Sequence, residues 1–136
     1  MKFRLESIRR KKEFEHLFSN GIRISHDKLR AIILFKNETE LCTEKYKILY
    51  AVYVSKKATK KSVVRNRIKR LLRESLRLLA RTEMVEKINV IKYLYLNWTS
   101  APRRPCEIRL YDVFPLVHSI VEKAYNYFSK NSERSN

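Results

Sequence analysis

The sequence predicts a mixed α/β (α+β) protein, a small mixed sheet of about four strands with helices packed on it. Three observations carry this expectation. Residues 61–80 place their apolar side chains at helical spacing. The segments on either side, 46–54 and 88–98, are rich in β-branched and aromatic residues and read as strands. A strand, a helix and a strand in succession imply a parallel pair joined through the helix.

The first element is a helix over 7–19. Ser7 can cap it, and Ile8, Phe14, Leu17 and Phe18 supply an apolar side amid Arg9, Arg10, Lys11 and Lys12. Asn20 and Gly21 end it, the glycine suited to the left-handed backbone of many helix ends. Residues 22–26 form a candidate short strand, and 29–35, apolar and β-branched, form another. Residues 36–45 are polar and loop-like. In 46–54, Ile48, Tyr50, Val52 and Val54 alternate onto one face, and Tyr46 and Tyr50 lie opposite Tyr53.

The helix over 61–80 has room to extend toward Glu86. Residues 88–98 alternate poorly and are expected to be a largely buried strand, with Trp98 packing at its end. Residues 100–105, with Pro102 and Pro105, read as a loop. From Val113 to Phe128, Val113, Leu116, Val117, Ile120, Val121, Ala124, Tyr125 and Phe128 recur at helical spacing, the pattern of a packing helix. The polar tail 129–136 is expected to fray. With no internal repeat, low-complexity tract or composition break, residues 1–136 are expected to form a single domain.

Charge narrows the function. Thirty-one Lys and Arg oppose 14 Asp and Glu, a net charge of +17, and a chain so basic is usually compensated by a polyanion. Nucleic acid is the first candidate. A membrane is the weaker one, because no run approaches the ~20 apolar residues of a spanning helix. The N-terminal stretch has no apolar core behind its charges and is expected not to be a secretory signal. Cys42 and Cys106 are far apart and in no metal-binding spacing, which suits incidental thiols in a reduced, cytoplasmic protein. The single glycine excludes Gly-rich phosphate loops. His16, His26 and His118 are scattered, and Asp27 and Asp112 are isolated from other carboxylates, so no nuclease metal centre of convergent acids is expected.

Residues 55–74 hold nine Lys or Arg and one acid, Glu74. At 100° per residue, Val64, Ile68, Leu71, Leu72, Ser75, Leu78 and Leu79 share an arc of about 120°. Arg65, Arg67, Lys69, Arg70, Arg73 and Arg77 fan around much of the rest. Solvated charged faces interleave acids at i,i+4, and here none appears before Glu74. Arginine can grip a phosphate bidentately and stack on a base. Asn66, between two arginines, can bond a base edge or cap a neighbouring backbone group. Phe14 and Phe18, at i and i+4, suit either a core or the wall of a base-stacking cleft. A strand before the basic helix argues against a major-groove DNA reader, which usually pairs that helix with a preceding one.

Two motifs carry a resemblance. Val54-Ser55-Lys56-Lys57, seven residues, then Arg65-Asn66-Arg67-Ile68-Lys69-Arg70-Leu71-Leu72-Arg73-Glu74 resembles the signature of the bacterial ribonuclease P protein subunit. The N-terminal stretch agrees, with Arg4-Leu5, a basic cluster, Glu13-Phe14, Phe18 and Gly21. Together the two cover residues 4–35 and 46–79. The resemblance implies a left-handed βαβ crossover around the basic helix, as in ribosomal protein S5 domain 2-like folds. It implies a subunit that assists a catalytic RNA in removing the 5′ leader of precursor tRNA, an endonuclease holoenzyme whose catalytic site lies in the RNA.

Carried over, the residues contacting the catalytic RNA are Arg65, Asn66, Arg67, Lys69, Arg70 and Arg73, and the leader cleft includes Lys12, Phe14, Phe18 and Lys56. Magnesium is expected in the holoenzyme, held mainly by RNA, with no recognisable protein site. The implied partners are the catalytic RNA and precursor tRNA, with no membrane and no obligate protein partner. The sequence departs from the family pattern at Ala51 and Ile32, where a glycine and an aromatic are common, and in a longer 98–112 segment. The alternative is a non-catalytic basic RNA-binding protein of ribosomal type, whose composition fits but which does not account for the paired motifs.

Overall fold

A five-stranded sheet of order β1-β4-β5-β3-β2 organises the chain, in a computed structural model that describes residues 3–100 and 107–134. The elements are β1 (Arg4–Ser7), α1 (Lys11–Asn20), β2 (Ile22–His26), β3 (Leu29–Phe35), α2 (Glu38–Thr43), β4 (Lys47–Val54), α3 (Ser62–Leu79), α4 (Val85–Ile88), β5 (Ile91–Trp98) and α5 (Leu110–Arg134). β4 pairs in parallel with β1 and β5, so α3 is the connection between two parallel neighbours. β3 pairs antiparallel with both β5 and β2. Asp27 turns the β2–β3 hairpin at φ 54, a left-handed conformation that Asp tolerates.

The mixed α/β class is as expected, with one strand more than the four expected. The added strand, β1, takes Ser7 out of the first helix, which starts at Lys11 instead. The Glu13 carboxylate accepts from the Arg10 N–H at 3.3 Å, satisfying a donor at the true helix start. Residues 38–43, expected as loop, are helical because Asn37 and Glu40 cap one another. The Asn37 side chain accepts from the Glu40 N–H at 2.8 Å, and the Glu40 carboxylate accepts from the Asn37 N–H at 3.1 Å. The basic helix stops at Leu79, and α4 is a separate turn where an extension toward Glu86 had room.

The last helix starts at Leu110 rather than Val113. The Asp112 carboxylate accepts from the Arg109 N–H at 2.8 Å at its start. It also runs to Arg134 through most of the tail expected to fray, because extending a helix already packed at Tyr127 and Phe128 is far easier than starting one. The loop expected over 100–105 lies, beyond Ser100, outside the described residues, as does Cys106; Cys42 is exposed.

The sheet has two unlike faces. On one, alternate residues such as Ala31, Ile33, Ile48, Tyr50, Leu94 and Leu96 join α3 and α5 in the main core. On the other, Ile32, Leu34, Leu49, Ala51, Tyr93 and Tyr95 meet α1 in a small cluster around Ile8 and Leu17. Where β3, β4 and α4 converge, the Asn89 side-chain oxygen accepts from Lys36 Nζ at 3.1 Å and from the Tyr46 N–H at 2.6 Å. Tyr46 sits at φ 57 there, held by that bond. Burial pushes the Lys36 ammonium down to about 8, against the opposing pull of Glu44 and Glu40.

Candidate nucleic-acid interface

α3 is anchored by Val64, Ile68, Leu71, Leu72, Ser75, Leu76 and Leu79. Leu76 takes the place expected of Leu78, since it lies one turn from both Leu72 and Leu79 while Leu78 sits at the flank. Ser75 is tolerated in the core because its hydroxyl donates to the Leu71 carbonyl at 2.8 Å.

The cations opposite this stripe divide into two sets. Arg65 folds back to donate to the Thr59 carbonyl and the Ser62 hydroxyl, both at 3.1 Å, at a helix start whose N-cap residue Lys61 gives no side-chain bond. Arg67 donates through Nε to the Ile108 carbonyl at 2.9 Å and so ties α3 to the start of α5. Both guanidinium groups are half-buried and oriented, which reduces the rotamer freedom lost on gripping a phosphate. Asn66 and Arg70 are exposed and make no hydrogen bond or ion pair among the described residues; Lys69 and Arg73 are half-buried beside them. Asn66 therefore caps no described backbone group, and its amide faces outward.

The second surface lies across the sheet. Leu17 is fully buried and pins α1 to the strands. Phe14 is half-buried in the same cluster, its ring 6.0 Å from that of Phe18. Phe18 is 41% exposed and sets its ring edge-on to Tyr95 at 5.2 Å. Tyr53, 42% exposed, shares this face through its register with Asn97. Burial, and secondarily Tyr53, raises the Tyr95 phenol above its ordinary value. Phe14, Phe18, Tyr95 and Tyr53 thus form a half-wet aromatic row.

Tyr95 and Tyr53 were not singled out as cleft residues. The sign was their two-residue spacing from Tyr93 and Ala51, but only pairing reveals which face is wet.

Lys12 and Lys56 bracket the row rather than meet. His16 lies over Tyr93 and Phe18 over Tyr95, so α1 runs toward the C-terminal ends of β4 and β5. Lys12, exposed in the first turn of α1, stands at the far end, where Arg9, Arg10, Glu13 and Tyr93 help line a groove of about 760 Å³. Lys56 is exposed in the turn after β4, which is fixed by the Ser55 N–H donating to the Trp98 carbonyl at 3.0 Å.

Gly21 closes this arrangement. Its φ of −72 is not left-handed, so the expected reason for a glycine does not apply. A Cβ there would stand 2.6 Å from the Leu17 carbonyl oxygen, 2.8 Å from Ile32 Cγ2 and 3.1 Å from the Ile33 carbonyl oxygen. The glycine is needed for the close approach of α1 to β3.

Among the described residues no three His, Cys, Asp or Glu side chains come together as metal ligands, and no helix is long and apolar enough to cross a membrane. Cations along α3 on one side of the sheet and a half-wet aromatic row on the other define a basic α/β protein whose two faces suit a polyanion. The family model for Ribonuclease P matches residues 3–95, and the chain belongs to that family. It is 35% identical over 88 residues to the ribonuclease P protein component of Rickettsia bellii (strain RML369-C), covering 64% of this chain and 72% of that protein. With the component from Clostridium botulinum (strain 657 / Type Ba4) it shares 42% identity over 72 residues, 52% of this chain and 57% of the relative.

Solved structures share the fold at low identity. The Staphylococcus aureus RNase P protein superposes with a TM-score of 0.59 at 17% identity, over 87% of this chain and 94% of that one. The RNase P protein from Thermotoga maritima gives 0.58 at 16%, over 87% and 96%.

Proposed function

We propose that the protein is the subunit of ribonuclease P that binds the catalytic RNA through α3 and the 5′ leader of precursor tRNA through the α1 cleft. The observation that carries this reading is the separation of the two surfaces by the sheet, which lets one protein touch two RNAs at once. Arg65, Asn66, Arg67, Lys69, Arg70 and Arg73 contact the catalytic RNA in this reading. Leaders vary in sequence, and stacking on Phe14, Phe18, Tyr53 and Tyr95 is indifferent to base identity. Lys12 and Lys56 then neutralise leader phosphates at either end of the row.

The chain's work is to hold and orient. The catalytic site and its magnesium belong to the RNA, whose phosphates supply the ligands, and the cleavage is the endonucleolytic step that leaves the mature tRNA 5′ end. The compartment that suits such a substrate is the cytoplasm.

Reconstitution with the RNA subunit of the same organism tests the reading. Precursor tRNA should be cut at physiological magnesium only when RNA and protein are both present. Cleavage by RNA-free protein would refute it, and copurification of ribosomal RNA in place of a discrete catalytic RNA would favour a ribosomal-type protein.

A further inference from the structure

Neither surface uses the groove at the β1 edge of the sheet. It holds about 800 Å³ and lies between β1 and the turn that follows α3, within the roughly 300–1,000 Å³ of small-ligand sites. Phe3 and Tyr46 line it as an aromatic pair, centroids 6.1 Å apart at 63°. Arg4, Arg77 and Arg81 line it as well. Arg77 pairs with Glu74, whereas Arg4 and Arg81 are exposed and form no ion pair among the described residues. The groove's two acids are already engaged. Glu86 accepts from the Tyr46 hydroxyl at 2.9 Å, and Glu6 lies 3.8 Å from Lys47 Nζ.

We infer that this groove is a third RNA contact, binding one unpaired nucleotide with its base against Phe3 and Tyr46 and its phosphates on Arg4 and Arg81. The charge balance favours a polyanion, and the aromatic pair beside it favours one that carries bases. Continuity favours it too, because Arg77, in the last turn of the basic helix, and Arg81, in the turn just after it, both line the groove, which therefore adjoins the C-terminal end of α3. The inference rests on the RNA-binding reading above and extends it to a surface at the sheet edge.

The test uses the full chain without the catalytic RNA and a single-stranded oligouridylate carrying 5-iodouridine. Irradiation should crosslink the probe to Phe3 or Tyr46. Arg4→Ala with Arg81→Ala should remove that crosslink, weaken binding about tenfold at low salt and lower the salt slope by about 1.4. Arg4→Lys with Arg81→Lys should keep the slope. Both arginines are exposed, so these variants should fold, which circular dichroism checks. Crosslinks confined to the α1 cleft, or an unchanged slope, would overturn the inference and leave the β1 edge to an extended peptide. Processing activity is not read in this experiment, so its failure is distinguishable from failure of the proposed function.

Discussion

Gly21→Ala probes the joint between fold and cleft. The backbone at Gly21 suits alanine, so strain must come from the added methyl group alone. Two of its three nearest neighbours are backbone carbonyl oxygens, at 2.6 and 3.1 Å, and cannot swing aside as a side-chain tip would. Relief from Ile32 and Ile33 requires the end of α1 to lift from β3 by roughly half an ångström, and relief from Leu17 requires the chain at Gly21 to pull away from the last turn of α1 itself. Overpacking of this kind costs about 1–3 kcal/mol, and the stiffer unfolded chain returns about 0.4–1 kcal/mol.

The net loss should be about 1–2 kcal/mol, lowering Tm by roughly 3–8 °C for a chain of this size. Because α1 carries Phe14 and Phe18, discrimination between precursor and mature tRNA should weaken in folded variant, while catalytic-RNA affinity holds. Urea denaturation and the two binding assays measure this. Stability equal to or above that of the parent chain would refute the close-approach argument.

Three further outcomes are expected. Phe18→Ala should change stability by less than about 1 kcal/mol yet reduce precursor discrimination by about 1–3 kcal/mol, whereas Phe14→Ala should lose stability as well; equal stability losses would contradict the different burial of the two rings. Asn66→Ala with Arg70→Ala should leave stability within about 0.5 kcal/mol and weaken catalytic-RNA binding, while Arg67→Ala should also destabilise by about 1 kcal/mol and speed hydrogen exchange at the start of α5. Lys36 releases its proton near pH 8 when folded and near 10.5 when unfolded, so the unfolded chain holds more protons between these values and stability should rise with pH from about 8. Above about 10 it should fall, as Tyr93 and Tyr95, both raised by burial, ionise first in the unfolded chain. Lys36→Met should flatten the rising limb in denaturation curves taken across that range.

Much of the scaffold was legible because helical spacing is a one-dimensional signal. Val64, Ile68, Leu71, Leu72 and Leu79 announced the buried side of α3, and the strand alternation correctly grouped Ile48 and Tyr50 on the core face. The reading failed where short elements depend on partners. β1 has four residues and exists through its pairing with β4, and α2 rests on the Asn37–Glu40 cap, whose only sign in the sequence is an Asn three residues before a Glu. The candidate site was legible as residue types but not as an arrangement. The spacing of Arg65 and Arg67 pointed outward, whereas Thr59 and Ile108 take up part of their hydrogen-bonding capacity.

By itself the sequence determined the mixed α/β class, the amphipathic basic helix and the paired motifs, because periodicity and charge are properties of the chain in order. Tertiary structure alone decided that Tyr53 and Tyr95 join Phe18 on the wet face, that Lys12 and Lys56 stand at opposite ends of it, and that Gly21 is required by proximity rather than by φ. Each of these depends on which strands become neighbours, and strand register sets distances between residues that the order along the chain does not contain.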